Sequence, residues 1–439
     1  VSLPVPTGRA AILVAVSSLT FVLWRGTDWT AFVVVAAVVT TIVAIDALRC
    51  TSPRAVTVER HVPEAMVVGE TGEMSWTVGN TSDRALDVTV ADALWPSLNA
   101  SRRRFDARLD AGRRVAARAT LTPSRRGRFP LDDVTVRVRS PFGLVVRHGT
   151  RRVAGAVRVY PGFPSREDVA VRMRQVRVVD AAVQAMRLRG GDTEFDQLRD
   201  YTPDDSFRRI DWAATARVRR PIVRDYRIER NQSIVVLLDN GRTMAGTVGG
   251  VPRVEHAMDA VFAVTAVATD QGDRVGLVAF DTQVRSIVVP SASRAQRARM
   301  AEAMFLLEPQ LAESAFSDAF AHAVGRFRRR SLYVVLTDLS EATVHESLLP
   351  ALPVLTRRHL VVVAAVQDPV VATWADGAER DTSVADVFRS AAAISAAEQR
   401  LRSAARLRAA GAVVIDAAPG RLAVDLVDTY LSLKAAGRL

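Results

Sequence analysis

Downstream of Ser233 the chain alternates between short, continuously apolar runs and longer helical stretches, and few architectures accept that order. The runs are Ile234 to Leu238, Arg274 to Phe280, Ser331 to Leu336, Leu360 to Val366 and Ala412 to Ile415. Between them lie Arg253 to Asp270, Arg294 to Leu307, Phe316 to Arg328 and Ser390 to Ala410. A strand that is apolar at every position has no face to offer water, so it must be covered on both sides. Intervening helices supply that cover and make the strands parallel. The expectation for residues 233–439 is an α/β, Rossmann-like domain, with Val284 to Val289 as an antiparallel edge. No Gly-rich dinucleotide fingerprint follows the first run, which disfavours NAD. In open sheets of this kind ligands gather beyond the carboxyl ends of the strands. The first run ends there in Leu237-Leu238-Asp239-Asn240-Gly241-Arg242-Thr243, bringing an acid and a hydroxyl to that edge.

The beginning of the chain has another character. Two apolar stretches occur, Ala10 to Trp24 between Arg9 and Arg25, and Trp29 to Ile45 ahead of Asp46 and Arg49. A membrane-spanning helix needs about 17 to 25 apolar residues. These stretches reach that length with help from snorkelling arginines and interfacial tryptophans at their ends. Joined by Gly26-Thr27-Asp28, they predict a transmembrane helical hairpin over residues 1–52. A cleaved signal peptide would need a small-residue cleavage site where the second stretch instead begins at once. Arg9 precedes the pair and Arg49, Arg54 and Arg60 follow it, against Arg25 alone in the link. The positive-inside bias then expects a cell-membrane protein with its main domains cytoplasmic.

Residues 53–162 switch to period-two alternation, as in Ala55-Val-Thr-Val, Glu73-Met-Ser-Trp-Thr-Val and Asp133-Val-Thr-Val-Arg-Val, broken by turn formers such as Gly79-Asn80 and Pro123. That pattern predicts an antiparallel β-sandwich. A single cysteine, Cys50, excludes an intrachain disulfide framework and suits a reducing compartment. The net charge of +12 is carried almost entirely by arginine. With no recognised nucleic-acid fold, an anionic membrane leaflet is the simpler partner for Arg102 to Arg104, Arg125 to Arg128 and Arg326 to Arg330. The six histidines show neither metal-ligand spacing nor a nucleophile partner.

Residues 163–232 hold a linker and the densest polar series in the chain. It contains Glu194-Phe195, Leu198-Arg199, Tyr201, Asp204-Asp205, Arg208, Ile210-Asp211-Trp212 and Arg217. Charges interleaved with aromatics suit either an ion-pair clasp between domains or a partner surface, and the clasp is preferred because buried polar networks tend to fix an arrangement. This series is similar to the signature of the DUF58 family, in which Glu-Phe, Leu-Arg-x-Tyr, Gly-Asp-Asp, Arg-x-Ile-Asp-Trp and Ala-Arg precede a von Willebrand A-like domain. The resemblance extends along the whole chain in the family's order, including the turn Ser140-Pro141-Phe142-Gly143-Leu144. Pro203 departs from it, standing where the family has glycine.

The spacing Asp239-x-Gly241-x-Thr243 also resembles the metal-ion-dependent adhesion motif of von Willebrand factor A domains, Asp-x-Ser-x-Ser, with Gly241 in place of the middle hydroxyl. Carried over position by position, the resemblance implies a Mg²⁺ site of Asp239, Thr243, Ser314 and Asp338. Ser317 competes with Ser314 for its position. Hard oxygen ligands of this kind suit Mg²⁺, and an acidic group from a partner would complete the shell. The plainer reading is that the same side chains cap helices and satisfy loop amides. The chain is read as a non-enzymatic interaction module, and the DUF58 resemblance implies a MoxR-type AAA+ ATPase as its partner in assembly, maturation or envelope processes. Two other classes stay open. A structural membrane scaffold would tolerate silent replacement of Asp239 and Asp338. A metal-dependent hydrolase would need a base or nucleophile near Asp239, where Arg242 is the loop's one charged neighbour.

Overall fold

The computed structural model describes residues 3–23, 29–174, 195–202, 210–226, 232–376 and 383–439. It is a multidomain chain of helices and several sheets, dividing into two compact units, Val1–Tyr160 and Pro161–Leu439.

The first unit begins with helix Gly8–Leu23 and helix Trp29–Arg49. At 1.5 Å per residue the 21-residue second helix is roughly 31 Å long, which matches a bilayer core. Among the described residues it is the one N-terminal helix long and apolar enough to cross a membrane; the 16 described residues of the first helix fall short. Ala10 and Leu13 of the first helix pack with Val43 and Ala47 of the second and with Leu144 and Val145. The Ser140 to Leu144 turn, expected as turn chemistry, is also a socket. Buried Asp46 accepts hydrogen bonds there from Ser140 Oγ, from Phe142 N at 3.0 Å and from Leu144 N at 3.0 Å. Three donors satisfy a carboxylate that would otherwise be costly to bury. Cys50 is buried.

Two sheets follow. One runs, in spatial order, Val5–Pro6, Val145–Tyr160, Gly127–Arg139, Leu86–Asp92 and Arg104–Leu109, with Ala65–Val67 also paired to Val145–Tyr160. The other is Val56–His61, Gly72–Asn80 and Arg114–Leu121. Alternation sorts their faces as the period-two pattern requires: Leu86, Val88 and Val90 are buried while Asp87 between them is exposed. Both sheets contribute to one core around Trp76, Phe105 and Leu121. A buried ion pair spans that core. Arg60 Nη1 lies 2.8 Å from Asp92 Oδ1, both side chains 1% exposed, and Trp76 Nε1 donates to Asp92 Oδ2 at 2.7 Å. Arg60 Nη2 donates to the carbonyls of Leu131 and Val153, beside the bulge between Leu131 and Asp133.

The second unit is built on a six-stranded sheet ordered Val284–Ser291, Arg274–Phe280, Ser233–Asp239, Leu332–Leu336, Leu360–Val366 and Val413–Ala417. All pairings are parallel except the antiparallel edge Val284–Ser291. Every residue of Ser233–Asp239 is buried because both faces are covered. Ile234, Val236 and Leu238 pack with helices Arg253–Asp270, Gln296–Met304 and Leu422–Ala435. Val235 and Leu237 face a core containing Phe316 and Phe320, Leu348, Leu352 and Leu355, and Leu407 of helix Val384–Ala409. That last helix starts before Ser390, the position expected from sequence. Ser383 caps it by accepting from Asp386 N. Leu422–Ala435, which sequence reading did not separate from the chain end, is tied down by Asp273, which accepts from Tyr430 and Lys434.

Candidate functional site

The central strand delivers Asp239 to the carboxyl edge of the sheet, and the carboxylate is fully buried there. Donors reach it from three separate loops. Gly241 N donates to Oδ1 at 2.9 Å, Ser314 Oγ donates to the same oxygen, and Thr337 Oγ1 donates to Oδ2 at 2.6 Å. Burial pushes its pKa up, while the Ser314, Thr337 and Gly241 donors oppose that shift and the nearby Asp338 charge adds to it. Asp239 therefore works as a buried knot among loops.

Neighbouring Asn240 strengthens the knot. Its side chain donates to Glu308 O at 2.7 Å, its carbonyl accepts from Gln310 N at 2.8 Å, and Arg242 N donates to Ala312 O at 2.9 Å. On the surface an Arg242–Glu313 ion pair bridges the same two loops, both side chains well exposed.

Gly241 acquires a physical reason. A Cβ built there would overlap Ser314 Oγ and lie 3.0 Å from Ala312 O and 3.2 Å from Asp239 Oδ1. The Ser314 hydroxyl fills the space that a side chain at 241 would need. Its backbone φ of −85° is ordinary, so crowding and not conformation requires glycine. Gly241→Ser is expected to cost about 1 to 3 kcal/mol by overpacking, and adding Ser314→Ala should recover at least about 1 kcal/mol of it. Urea unfolding of the two variants and the wild type measures this; strictly additive effects would show that the two positions do not share one space.

Of the four residues the adhesion motif implies, Asp239 and Ser314 are in direct contact. Thr243 lies in the 3-10 turn Arg242–Ala245 and is half-buried; Thr337, which the sequence reading passed over, supplies the hydroxyl on Asp239 Oδ2. Asp338 is engaged elsewhere. Its Oδ1 accepts from Arg400 Nη1 at 2.9 Å, with Arg253 Nε at 3.6 Å, in ion-pair range but without a hydrogen bond. Arg400 also clasps both oxygens of Asp416, with Nε at 3.0 and 2.9 Å, and donates from Nη2 to Val366 O at 2.9 Å. Burial disfavours the charge on Arg400, but its bonds to Asp416 and Asp338 outweigh that and raise its pKa. Neither arginine figured in the sequence reading, because each reaches the edge from a helix distant in sequence from Asp338.

This arrangement fits a directly bound divalent ion poorly. Both Asp239 oxygens already accept from neutral donors, and guanidinium groups already neutralise the second carboxylate.

The signature series forms a small ribbon. Strand Phe195–Asp200 pairs antiparallel with Ile222–Tyr226, and Ile210 bridges Val223. Tyr201 N donates to Pro221 O at 2.9 Å. Asp211 caps helix Trp212–Val218, accepting from Ala213 N and Ala214 N, each at 3.0 Å. Trp212 is 69% exposed and Arg217 is exposed too. Leu198 and Arg199 lie on the paired strand. Glu194, Asp204, Asp205 and Arg208 lie outside the described residues.

Comparison with known proteins agrees with the signature. Uncharacterized proteins of Mycobacterium tuberculosis and Mycobacterium bovis are each 24% identical over 241 residues, covering 52% of this chain and 74% of theirs. Among solved structures, the CARDB domain of the PF1109 protein from Pyrococcus furiosus is 16% identical with a TM-score of 0.18, covering 24% of this chain and 86% of that one. Proximal thread matrix protein 1 from the mussel byssus is 13% identical with a TM-score of 0.28, covering 47% of this chain and 46% of that one. At such scores neither defines the fold. The family model described as "Protein of unknown function DUF58" matches residues 197–379, a span that holds most of the signature ribbon and the sheet as far as its fifth strand in sequence.

Proposed function

We propose that this chain is a membrane-anchored, non-enzymatic interaction module whose sheet unit is of von Willebrand A type and presents its carboxyl edge to a protein partner. One observation carries the reading: a single buried carboxylate, Asp239, takes donors from three separate loops, so the edge is a preformed and rigid surface. The DUF58 relationship supports a MoxR-type AAA+ ATPase as that partner, with the main domains on the cytoplasmic side. The exposed Arg242–Glu313 pair is the rim such a partner would touch.

A second reading keeps Mg²⁺ on Asp239, Thr243, Ser314 and Asp338, with an acidic partner group on the ion. The meeting of Asp239 and Ser314 at the sheet edge favours it; the Arg400 and Arg253 cations beside Asp338 disfavour it. Pull-down of the detergent-solubilised full chain from its own cell extract, in Mg²⁺ and in EDTA, separates the two. Retention of an AAA+ ATPase in both conditions, lost on the charge reversal Arg242→Glu with Glu313→Lys unable to restore it alone, supports the rigid edge. Retention only with Mg²⁺ supports the metal reading. Unchanged retention by every edge variant would remove the carboxyl edge from the interface.

A further inference from the structure

The outward face of the larger sheet in the first unit is basic. Strand alternation buries Phe105, Leu109, Val136 and Val138 and turns Arg104, Arg108, Arg137 and Arg139 outward. Register places them together: Asp87 pairs with both Arg108 and Arg139, and Arg137 pairs with His148. A groove of about 940 Å³ on this face is lined by those four arginines, by Arg9 and by His148, against the carboxylates of Asp87 and Asp106 alone. Among the described residues no carboxylate forms an ion pair with any of the five arginines. Arg9 and Arg139 both reach over Gly143. A point just above Gly143 lies 2.8 Å from Arg9 Nη1 and 3.5 Å from Arg139 Cδ. Exposed like charges gathered along one groove raise the local potential for an anion.

The groove does not end in water. Strand Val5–Pro6 pairs with Val146 and Val145, and Thr7 Oγ1 donates to Gly143 O at 2.7 Å, which seats the start of helix Gly8–Leu23 at the groove's rim. Pro6, Thr7 and Gly8 also line a second, apolar crevice of about 920 Å³ between the two N-terminal helices. Ala11 and Ala15 on one helix and Ala44 and Ala47 on the other leave it open, while Val14 and Val43 make its walls apolar. Polar and apolar compartments thus meet at three residues. The outer surfaces of the helices continue the apolar character: Ile12, Val14, Val34 and Val38 are each more than half exposed. An amphiphile with a negative head and a hydrocarbon tail matches this pair of compartments; a soluble anion would leave the crevice unexplained.

We propose that the groove and crevice form a binding site for one anionic phospholipid, its phosphate held among Arg9, Arg108, Arg137 and Arg139 and its acyl chain lying between the helices. The proposal rests on the membrane-anchoring part of the functional reading. The test uses the full chain reconstituted into vesicles of phosphatidylcholine alone or with phosphatidylglycerol. Flotation reports anchoring, and mass spectrometry of the gently re-solubilised protein reports which lipid it retains. Wild type should float with both vesicles and retain phosphatidylglycerol over phosphatidylcholine by about tenfold or more, as several arginines at an anionic surface would give. Arg137→Gln with Arg139→Gln should still float and lose that preference. These side chains point away from the core, so the variant keeps its fold. Equal retention of the two lipids by wild type, or an unchanged preference in the variant, would overturn the site while leaving anchoring intact. Displacement of the lipid by inorganic phosphate would also overturn it, in favour of a soluble-phosphate site. Failure to float with either vesicle would overturn anchoring and the lipid site together.

Discussion

Asp92→Ala should destabilise the first unit by roughly 3 to 5 kcal/mol, because it strands a buried guanidinium. Arg60 and Asp92 are each 1% exposed, and they join strand Val56–His61 of one sheet to Leu86–Asp92 of the other. Removing the carboxylate leaves Arg60 charged in an apolar core with carbonyl partners only, those of Leu131 and Val153. Trp76 Nε1 loses its acceptor as well, a further desolvation cost. The converse change is milder. Replacing both partners, Arg60→Met with Asp92→Leu, removes both charges, so the double variant should be clearly more stable than Asp92→Ala alone. Urea unfolding of the full chain in mild detergent measures both. A loss below about 1 kcal/mol for Asp92→Ala would mean that the core relaxes to admit water to Arg60.

The contrast between what could and could not be foreseen follows from range along the chain. The parallel sheet was legible because each strand writes its own burial into consecutive residues: Ile234 to Leu238 is apolar without a break and is buried at every position. The outward Arg137 and Arg139 were likewise implicit in the alternation of Asp133-Val-Thr-Val-Arg-Val. Asp239 and Ser314 could be paired in advance because a known loop pattern names both. The Arg60–Asp92 pair had no such marker; nothing local to Val-Glu-Arg-His distinguishes an arginine that crosses a core from one that faces water. The same holds for Asp46, whose three donors lie in a turn more than ninety positions away. Thr337 was overlooked because Asp338 beside it matched the motif, and matching a motif says nothing of which of two adjacent side chains turns inward. Asp211, one member of the signature series, also caps its own helix through Ala213 and Ala214, a local role that charge patterning does not mark.

Arg400→Ala should be the most damaging single change at the carboxyl edge of the second sheet, costing about 3 kcal/mol, the lower end for a broken buried pair because the site keeps some contact with water. The side chain is 17% exposed and serves four acceptor atoms on three residues: Asp338 Oδ1, both oxygens of Asp416, and the carbonyl of Val366. Its planar fork can satisfy them at once, which a lysine ammonium on a flexible stem cannot, so Arg400→Lys should recover only part of the loss. The substitution also tests what occupies the cationic position at this edge. In the wild type Arg400 and Arg253 already bring positive charge to Asp338, so millimolar Mg²⁺ should leave the unfolding midpoint unchanged. With Arg400 removed, Asp338 keeps Arg253 at 3.6 Å while Asp416 loses its clasp, and a divalent ion that bound the two carboxylates at tenfold over its Kd would restore about 1.4 kcal/mol. Stabilisation by Mg²⁺ in the variant but not in the wild type would establish that an internal guanidinium does here what a metal does in the adhesion motif. Marked stabilisation of the wild type by Mg²⁺ would show instead that Asp239, Thr243, Ser314 and Asp338 bind the ion with Arg400 in place. A neutral Arg400→Ala, with or without Mg²⁺, would make the whole ion-pair cluster a solvated surface feature and leave Asp239 alone to organise the edge.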